Sequence, residues 1–193
     1  MSLILASNSQ IRRIKLDQAG VEFAVRTADF DEAPVKQGHR GGDGELARTL
    51  AEGKAVSAPA NPDEWVIGGD SVVSVDGVRY SKPRDRDEAA AHLRAFSGRT
   101  MLLSSAVALA RGGTVDWSHA ETARLEVRAL TDSFINSYLD CEWPGVGHSV
   151  GVFRMEGRGV TLFDRVEGSH FTILGMPLLP LLGALRARGL LQS

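Results

Sequence analysis

The residues most able to do chemistry in this sequence are charged side chains set beside glycine or proline. Asp70 follows Gly68-Gly69 at the end of an apolar run, and two glycines let another group approach the backbone closely. A carboxylate in that position can hold a hard cation or accept a proton from water. Lys82 precedes Pro83, which fixes the local backbone and suits a point charge directed at phosphate. These features favour chemistry on a phosphate, although Asp70 alone can equally be a turn former.

A second candidate anion site is the polar loop Ser7-Asn8-Ser9, which leads into a predicted helix carrying Arg12 and Arg13. The free N–H groups and the positive dipole end of a helix attract anions, and nearby hydroxyls and arginines can hold a phosphate. The alternative is that Ser9 only caps the helix and that both arginines are solvated.

A rival to phosphate chemistry is the segment Gly147-His148-Ser149-Val150-Gly151, which matches the G-x-S-x-G nucleophile elbow. Asp164 and His170 follow in the order that hydrolases of this kind use. The elbow requires a strand before the serine and a helix after it. Loop residues precede Ser149, and a strand is predicted over Val150 to Met155, so the expected context is missing.

The elements that must position these residues are strands and helices in mixed order. Strands are predicted at Leu3 to Ala6, Val21 to Thr27, Trp65 to Gly69, Val72 to Val75, Val78 to Tyr80, Thr100 to Ala110, Thr114 to Arg128, Val150 to Met155 and Val160 to Val166. Helices are predicted at Gln10 to Ala19, Glu45 to Ser57, Asp85 to Phe96, Thr131 to Asp140 and Leu178 to Arg188. Strands and helices do not alternate strictly, which favours a mixed sheet.

Three local features complete this prediction. Asp70 is expected between two strands, and Asp76-Gly77 is a strong hairpin turn. The glycine-rich segment from Lys36 to Gly44 is predicted to be a mobile loop, a possible lid.

Composition restricts the class of protein. The 193 residues carry 24 acidic and 22 basic side chains, so there is no basic excess of the kind that duplex nucleic acid or a membrane surface attracts. The single cysteine, Cys141, cannot form an intrachain disulfide, and the apolar stretches are too short to span a bilayer. The low cysteine content fits a reducing compartment, so we expect a cytoplasmic protein. A Walker A loop, H-E-x-x-H and G-x-G-x-x-G are all missing, so we expect no bound dinucleotide or zinc.

Taken together, the motifs resemble the Maf family of nucleoside triphosphate pyrophosphatases over nearly the whole chain. The opening from Leu3 to Arg12 is similar to the family's L-A-S-x-S-P-R-R. Further segments match in the family's order: Phe30-Asp31-Glu32, Lys54-Ala55, Gly69 to Val73, Lys82-Pro83, Phe96 to Thr100 and Glu156-Gly157 through Leu178. The resemblance implies a single domain over residues 1–193 and an α/β fold. Its mixed twisted sheet would form two lobes around a central cleft, as in Maf/ITPase-like proteins, and the chain would pair as a homodimer.

The resemblance also implies a reaction, in which the α-β phosphate bond of a nucleoside triphosphate is hydrolysed to a monophosphate and pyrophosphate. Mg²⁺ or Mn²⁺ is the implied cofactor, because the four negative charges of the triphosphate must be neutralised before water can attack its phosphorus. Asp70 matches the proposed general base, and Glu32 is the carboxylate that would hold the metal with it. The implied phosphate-binding residues are Ser7, Ser9, Arg12, Lys54 and Lys82.

Base specificity is implied to depend on Ile11, Ser71 and Glu156. Glu156 stands where the thymidine- and uridine-cleaving branch carries glutamine. A carboxylate only accepts hydrogen bonds, and guanine offers N1–H and N2–H₂ donors, so Glu156 favours a guanine-type base, as in relatives resembling 7-methyl-GTP pyrophosphatases. Ile11 replaces the tryptophan of those relatives, and Ser149 replaces a common lysine, so one cation is absent.

Two alternatives stay open beside this hypothesis. One is the serine hydrolase with Ser149 as nucleophile. The other is a non-enzymatic protein that binds a nucleotide or partner in the same cleft and regulates cell division, because the family has been linked to septum formation.

Overall fold

The computed structural model describes residues 2–192, which form seven strands, seven α-helices and two short 3-10 helices. The strands are β1 (Leu3–Ala6), β2 (Ala24–Val25), β3 (Trp65–Val75), β4 (Val78–Tyr80), β5 (Thr100–Arg111), β6 (Thr114–Val127) and β7 (Phe163–Glu167). The helices are α1 (Gln10–Gln18), α2 (Glu32–Gly38), α3 (Asp43–Ser57), α4 (Arg86–Phe96), α5 (Asp132–Glu142), α6 (His170–Ile173) and α7 (Leu178–Ala187).

The strands form one mixed sheet with the hydrogen-bonded order β2-β1-β3-β5-β6-β7, and β4 pairs with β3. Strand β1 runs parallel to both β2 and β3, whereas the β3–β4 and β6–β7 pairs are antiparallel. The predicted mixed α/β fold is therefore confirmed. In the described part of the chain, no helix combines the length and apolar character that crossing a membrane requires.

The chain divides into two compact units, and the long strands β3, β5 and β6 contribute residues to both. The first unit contains residues 2–71, 104–121 and 169–192, and the second contains residues 72–103 and 122–168.

The core of the first unit is built from apolar residues of β1, β3 and β5 together with α1 and α7. Leu5, Ile67 and Leu109 are fully buried in it, and Leu16 of α1 and Leu181 of α7 pack into the same cluster. Residues four apart share one face of a helix, so burying Leu16 turns Arg12 toward the interior as well. This packing decides the orientation of α1.

In the second unit, β3 and β4 form the predicted hairpin. Val75 pairs with Val78, and Asp76 and Gly77 have φ angles of 49° and 78°, which a type I′ turn requires. Helix α4 begins at the side chain of Asp85, which accepts a hydrogen bond from the Glu88 backbone N–H at 2.8 Å.

Two predictions in the first unit were wrong. Only Ala24–Val25 of the predicted strand from Val21 to Thr27 forms a ladder, because only those residues pair with β1. The segment predicted as a loop from Lys36 to Gly44 contains the end of α2 and the start of α3. Glycine and proline suggested a break, but proline is tolerated in the first turn of a helix, where Pro34 lies.

The expected place of Asp70 between two strands was also wrong, because β3 runs without interruption through residues 65–75. In the second unit, the predicted strand from Val150 to Met155 is a series of turns. Val152 has a φ of 56°, outside the strand region, and its carbonyl accepts a hydrogen bond from the Tyr138 hydroxyl at 3.0 Å. The next predicted strand begins only at Phe163, after a 3-10 helix over Arg158–Leu162.

Candidate active site

Asp70 lies in the middle of β3, where it is only 8% exposed. Helix α3 packs against this strand at Gly68. A Cβ on Gly68 would lie 2.1 Å from the Ala51 carbonyl oxygen and 2.7 Å from the Ala55 backbone nitrogen, so only glycine allows this approach. The close packing places Lys54, the neighbour of Ala55, within reach of the Asp70 carboxylate.

The ammonium group of Lys54 joins two carboxylates. Its Nζ lies 2.6 Å from Oδ1 of Asp70 and 2.7 Å from Oε1 of Glu32. The Lys54 and Asp70 side chains are 17% and 12% exposed, and that of Glu32 is 31% exposed. The structure therefore brings together three residues that sequence analysis assigned to catalysis and phosphate binding.

The position of Glu32 follows from the start of α2. The ring of Phe30 lies over Gly53 of α3, where a Cβ would come within 2.3 Å of the ring. The Asp31 side chain then caps α2 by accepting a hydrogen bond from the Ala33 backbone N–H at 3.0 Å. Glu32, the first residue of the helix, is consequently held beside Lys54.

A second ammonium group reaches Glu32 from one turn along α2. Lys36 Nζ lies 2.5 Å from Glu32 Oε2, in the i,i+4 arrangement that favours ion pairs on a helix. Burial would raise the pKa of Glu32, but the hydrogen bonds from Lys36 and Lys54 together outweigh it and lower the pKa to about 2. Glu32 is therefore an ionised carboxylate at neutral pH. Sequence analysis gave Lys36 no role, because the helix that sets this spacing was predicted as a loop.

Arg12 occupies a different environment, a cage of carbonyl and hydroxyl oxygens. Its Nε donates to the Gly175 carbonyl at 2.8 Å, and one terminal nitrogen donates to the Gly69 carbonyl at 2.9 Å and to the Ser7 hydroxyl at 3.3 Å. The other terminal nitrogen donates to the Ser71 hydroxyl at 3.1 Å. A guanidinium has five N–H donors, so these four bonds leave one.

Burial of Arg12 lowers the pKa of its guanidinium, against the attraction of the charges on Asp70 and Glu32. The cage continues into buried side chains of the same unit. Ser71 and Ser105 share a hydrogen bond at 2.9 Å, and the Ser105 hydroxyl donates to the Thr172 carbonyl at 2.8 Å. The neutral acceptors are therefore themselves fixed.

The N-terminus of α1 lines a cavity of about 290 Å³. Its walls are formed by Ser7, Asn8, Ser9, Gln10, Arg13 and Val25. Ser9 is at the N-cap position, but its side chain makes no capping hydrogen bond, so capping does not account for this residue. Arg13 lines the cavity whereas Arg12 points into the protein, a distinction that the helical spacing from Leu16 could have indicated.

The carboxylates of Asp70 and Glu32 are the residues that could hold a hard cation here. Among residues 2–192, no cluster of three or more His, Cys, Asp or Glu side chains has a metal-binding arrangement. Mg²⁺ is commonly held by one or two carboxylates, with waters and substrate phosphates as the remaining ligands. Two ionisable carboxylates drawn to one cation, the Lys54 ammonium, fit that ligand set.

Four further residues were predicted to belong to the site. Ile11 is a half-buried residue of α1 and Ser71 belongs to the Arg12 cage. In the second unit, Lys82 is exposed between β4 and α4, and Glu156 is exposed in a turn.

The G-x-S-x-G segment does not form a nucleophile elbow. Ser149 follows a 3-10 helix over Gly145–His148 and leads into a turn, not from a strand into an α-helix. The strand context that a nucleophile elbow requires is therefore absent at Ser149.

The first unit thus combines a polar loop at a helix N-terminus, the kind of place where anions bind, with a buried carboxylate, the kind of group that accepts a proton from water. The sequence matches the Maf-like protein family over residues 2–188, and the chain belongs to that family.

Two relatives are similar over almost their whole length. The 7-methyl-GTP pyrophosphatase of Rhizobium meliloti is 44% identical over 195 residues, covering 99% of this chain and 98% of the relative. The nucleoside triphosphate pyrophosphatase of Nitrobacter winogradskyi is 44% identical over 192 residues, covering 98% and 95%. Among solved structures, the nucleoside-triphosphatase / dITP/XTP pyrophosphatase of Mycobacterium abscessus has a TM-score of 0.45 and 15% identity, over 98% of this chain and 96% of that chain.

Proposed function

We propose that this protein is a nucleoside triphosphate pyrophosphatase that hydrolyses the α-β phosphate bond of a non-standard or modified nucleotide. The observation that carries the proposal is the buried carboxylate of Asp70, bridged by Lys54 to the ionised Glu32. Membership of the Maf-like family and the names of the relatives support it, since both relatives are pyrophosphatases of nucleotides.

In this reaction Asp70 is the general base. Its carboxylate takes a proton from water, and the water oxygen forms a bond to the α-phosphorus. The bond from that phosphorus to the α-β bridging oxygen breaks, which leaves a nucleoside monophosphate and pyrophosphate. A hydrogen-bonded carboxylate of this kind contributes a rate factor of about 10² to 10⁴. No covalent intermediate is needed.

Asp70 and Glu32 would hold Mg²⁺ or Mn²⁺, which supplies charge neutralisation for the phosphates when it is bound. The cations of the chain do the rest of the neutralisation. Lys54 is proposed to bind phosphate, as is Lys82 by its match to the family. The Ser7 to Ser9 loop and Arg13 surround a cavity that suits an anion at a helix N-terminus. Arg12 would act through the loop, because its guanidinium holds the Ser7 hydroxyl.

The base is proposed to be of the guanine type, with Glu156 accepting hydrogen bonds from its N1–H and N2–H₂ donors. The 7-methyl-GTP pyrophosphatase of Rhizobium meliloti supports this choice. Ile11 and Ser71 stay proposed contributors to base specificity. A homodimer in the cytoplasm is also proposed, from the resemblance to the family.

The experiment is a panel of nucleoside triphosphates assayed for pyrophosphate release with Mg²⁺ and with Mn²⁺. We expect release, with guanine-type and 7-methylated bases preferred over pyrimidines. A preference for thymidine or uridine triphosphate would contradict the base assignment alone, whereas binding without release would favour a regulatory protein.

The Asp70→Asn variant tests the mechanism within the same assay. It removes the base but keeps the size of the side chain, so turnover should fall about 10³-fold while nucleotide binding persists. Ser149→Ala is the matched control and should retain turnover. Near-native turnover of Asp70→Asn would contradict the role of the carboxylate. Loss of activity in Ser149→Ala would favour the serine hydrolase hypothesis.

A further inference from the structure

We infer that the ammonium group of Lys54 prevents a divalent cation from binding to Asp70 and Glu32. This competition ends when a nucleoside triphosphate binds and its phosphates pair with Lys54. The metal then enters with the nucleotide and not before it. This inference rests on the proposed function and concerns the order in which the ligands bind.

The first argument is the position of the ammonium group. Lys54 Nζ is within 2.7 Å of one oxygen of each carboxylate, so it occupies the point from which a single cation can contact both. The three side chains are each no more than 31% exposed, so water competes little with these contacts. A metal ion that used both carboxylates would have to displace this group.

The second argument is the balance of charge. Two carboxylates, Asp70 and Glu32, face two ammonium groups, because Lys36 also contacts Glu32 at 2.5 Å. The charges on this cluster therefore sum to zero before any ligand binds, and the guanidinium of Arg12 adds a positive charge nearby. Positive charges a few ångströms apart repel one another, so a dication gains little from a cluster that is already neutral.

The third argument is that Lys54 can leave. A lysine carries a compact point charge on a flexible stem, and the triphosphate offers it a more highly charged partner. Arg12 cannot respond in this way, because four of its five N–H groups are held by fixed oxygens. Once Lys54 bonds to phosphate, Asp70 Oδ1 and Glu32 Oε1 are released, while Lys36 still contacts the other oxygen of Glu32. Phosphate oxygens can then complete the ligand set of a hard cation.

The experiment measures Mn²⁺ binding to the nucleotide-free protein by electron paramagnetic resonance of the free ion. Lys54→Met removes the competing charge from both carboxylates, Lys36→Met from Glu32 only, and Lys15→Met from neither. Lys15 is the matched control, because its ammonium bonds to the Gln18 side chain at 3.1 Å and not to a carboxylate. Lys54→Gln repeats the main test with a polar side chain in case the methionine variant does not fold.

We expect wild type and Lys15→Met to bind Mn²⁺ equally weakly. Lys54→Met and Lys54→Gln should bind it about tenfold more tightly or better, and Lys36→Met should fall between. The experiment is repeated with an α,β-methylene nucleotide, which cannot release pyrophosphate. The complex of wild-type protein and this nucleotide should bind Mn²⁺ more tightly than the nucleotide alone does. Affinity in the folded Lys54 variants no higher than in Lys15→Met would overturn the inference. These readouts do not depend on turnover, so a failure of the proposed reaction would be seen separately in the nucleotide panel.

Discussion

Arg12 and Lys54 are both cations of the first unit, Arg12 buried and Lys54 partly buried, and they are held in opposite ways. Neutral oxygens surround the guanidinium of Arg12, two of them backbone carbonyls whose positions are fixed by β3 and by the turn after α6. The ammonium of Lys54 instead lies between two carboxylates on flexible side chains. The first arrangement joins distant parts of the chain. The second pairs one ammonium group with two carboxylates, and these ion pairs can separate.

Because the two cations are held so differently, proximity to the site is not enough to make a cation a ligand for phosphate. A guanidinium that donates to four oxygens stabilises the fold, and moving it would remove all four of these hydrogen bonds. An ammonium group shared by two carboxylates can exchange one anionic partner for another with little change in the backbone. Arg12 should therefore matter most for stability, and Lys54 most for ligand binding.

The largest expected effect on stability comes from Arg12→Met. The substitution removes the four hydrogen bonds that the guanidinium donates to the cage, and each such bond typically contributes about 1 kcal/mol. We expect the free energy of unfolding, measured with urea, to fall by about 3 kcal/mol. Arg13→Met is the control on the same helix and should stay within about 0.5 kcal/mol of wild type, because Arg13 is exposed. Equal effects of the two variants would show that the cage makes Arg12 no more important for stability than an exposed arginine.

A smaller effect, but one that depends on pH, is expected from Glu32→Gln. The pKa of Glu32 is about 2 in the folded protein against an ordinary value of 4.5, so its charge stabilises the fold above about pH 4.5. That contribution is lost as the pH falls from about 4.5 toward 2. One pKa unit corresponds to about 1.4 kcal/mol, and partial exposure of Glu32 screens the pair, so we expect a loss of about 2 kcal/mol at pH 7.

The measurement is urea unfolding of wild type and Glu32→Gln at pH 7, 4 and 3. The difference between them should shrink toward acid pH. The oxygens that accept from Arg12 do not titrate in this range, and only the attraction of Arg12 to the charges on Asp70 and Glu32 depends on pH. The effect of Arg12→Met should therefore change less over the same series than that of Glu32→Gln. A difference for Glu32→Gln that does not change with pH would contradict the ion-paired state of Glu32.

The smallest effect is expected from Ser71→Ala, which removes one oxygen of the cage and leaves the two carbonyls in place. The substitution removes the hydrogen bonds of this hydroxyl with Arg12 and with Ser105. Each typically contributes about 1 kcal/mol, so thermal unfolding should shift by a few degrees. Ser133→Ala, at an exposed position of α5, should leave the melting temperature unchanged. If Ser71→Ala lowered the melting temperature as much as Arg12→Met does, the hydroxyl, and not the backbone carbonyls, would be the main partner of Arg12.

Much of the fold could be predicted from the sequence, because apolar runs and turn residues act locally. The helix closed by Gly20, the hairpin at Asp76-Gly77 and the C-terminal helix ending before Gly189 all have their expected positive φ angles. Predictions failed where tertiary contacts outweighed local preference. Gly68 and Gly69 suggested the end of a strand, yet β3 continues through both. Helix α3 packs on the space that a side chain at Gly68 would fill, and the Arg12 side chain lies beside Gly69.

The sequence by itself determined which chemical groups this protein can use: the carboxylates of Glu32 and Asp70, the ammonium of Lys54 and the polar loop before α1. Their identities and their match to the Maf family need no coordinates. Only the tertiary structure decided how the charges are shared, because the contacts join residues far apart in the chain. Lys54 meets Asp70 across 16 residues, and Arg12 meets Gly175 across 163. Helical spacing indicates which face of α1 carries Arg12, but only the packing of α1 and α3 onto the sheet decides which groups Arg12 and Lys54 contact.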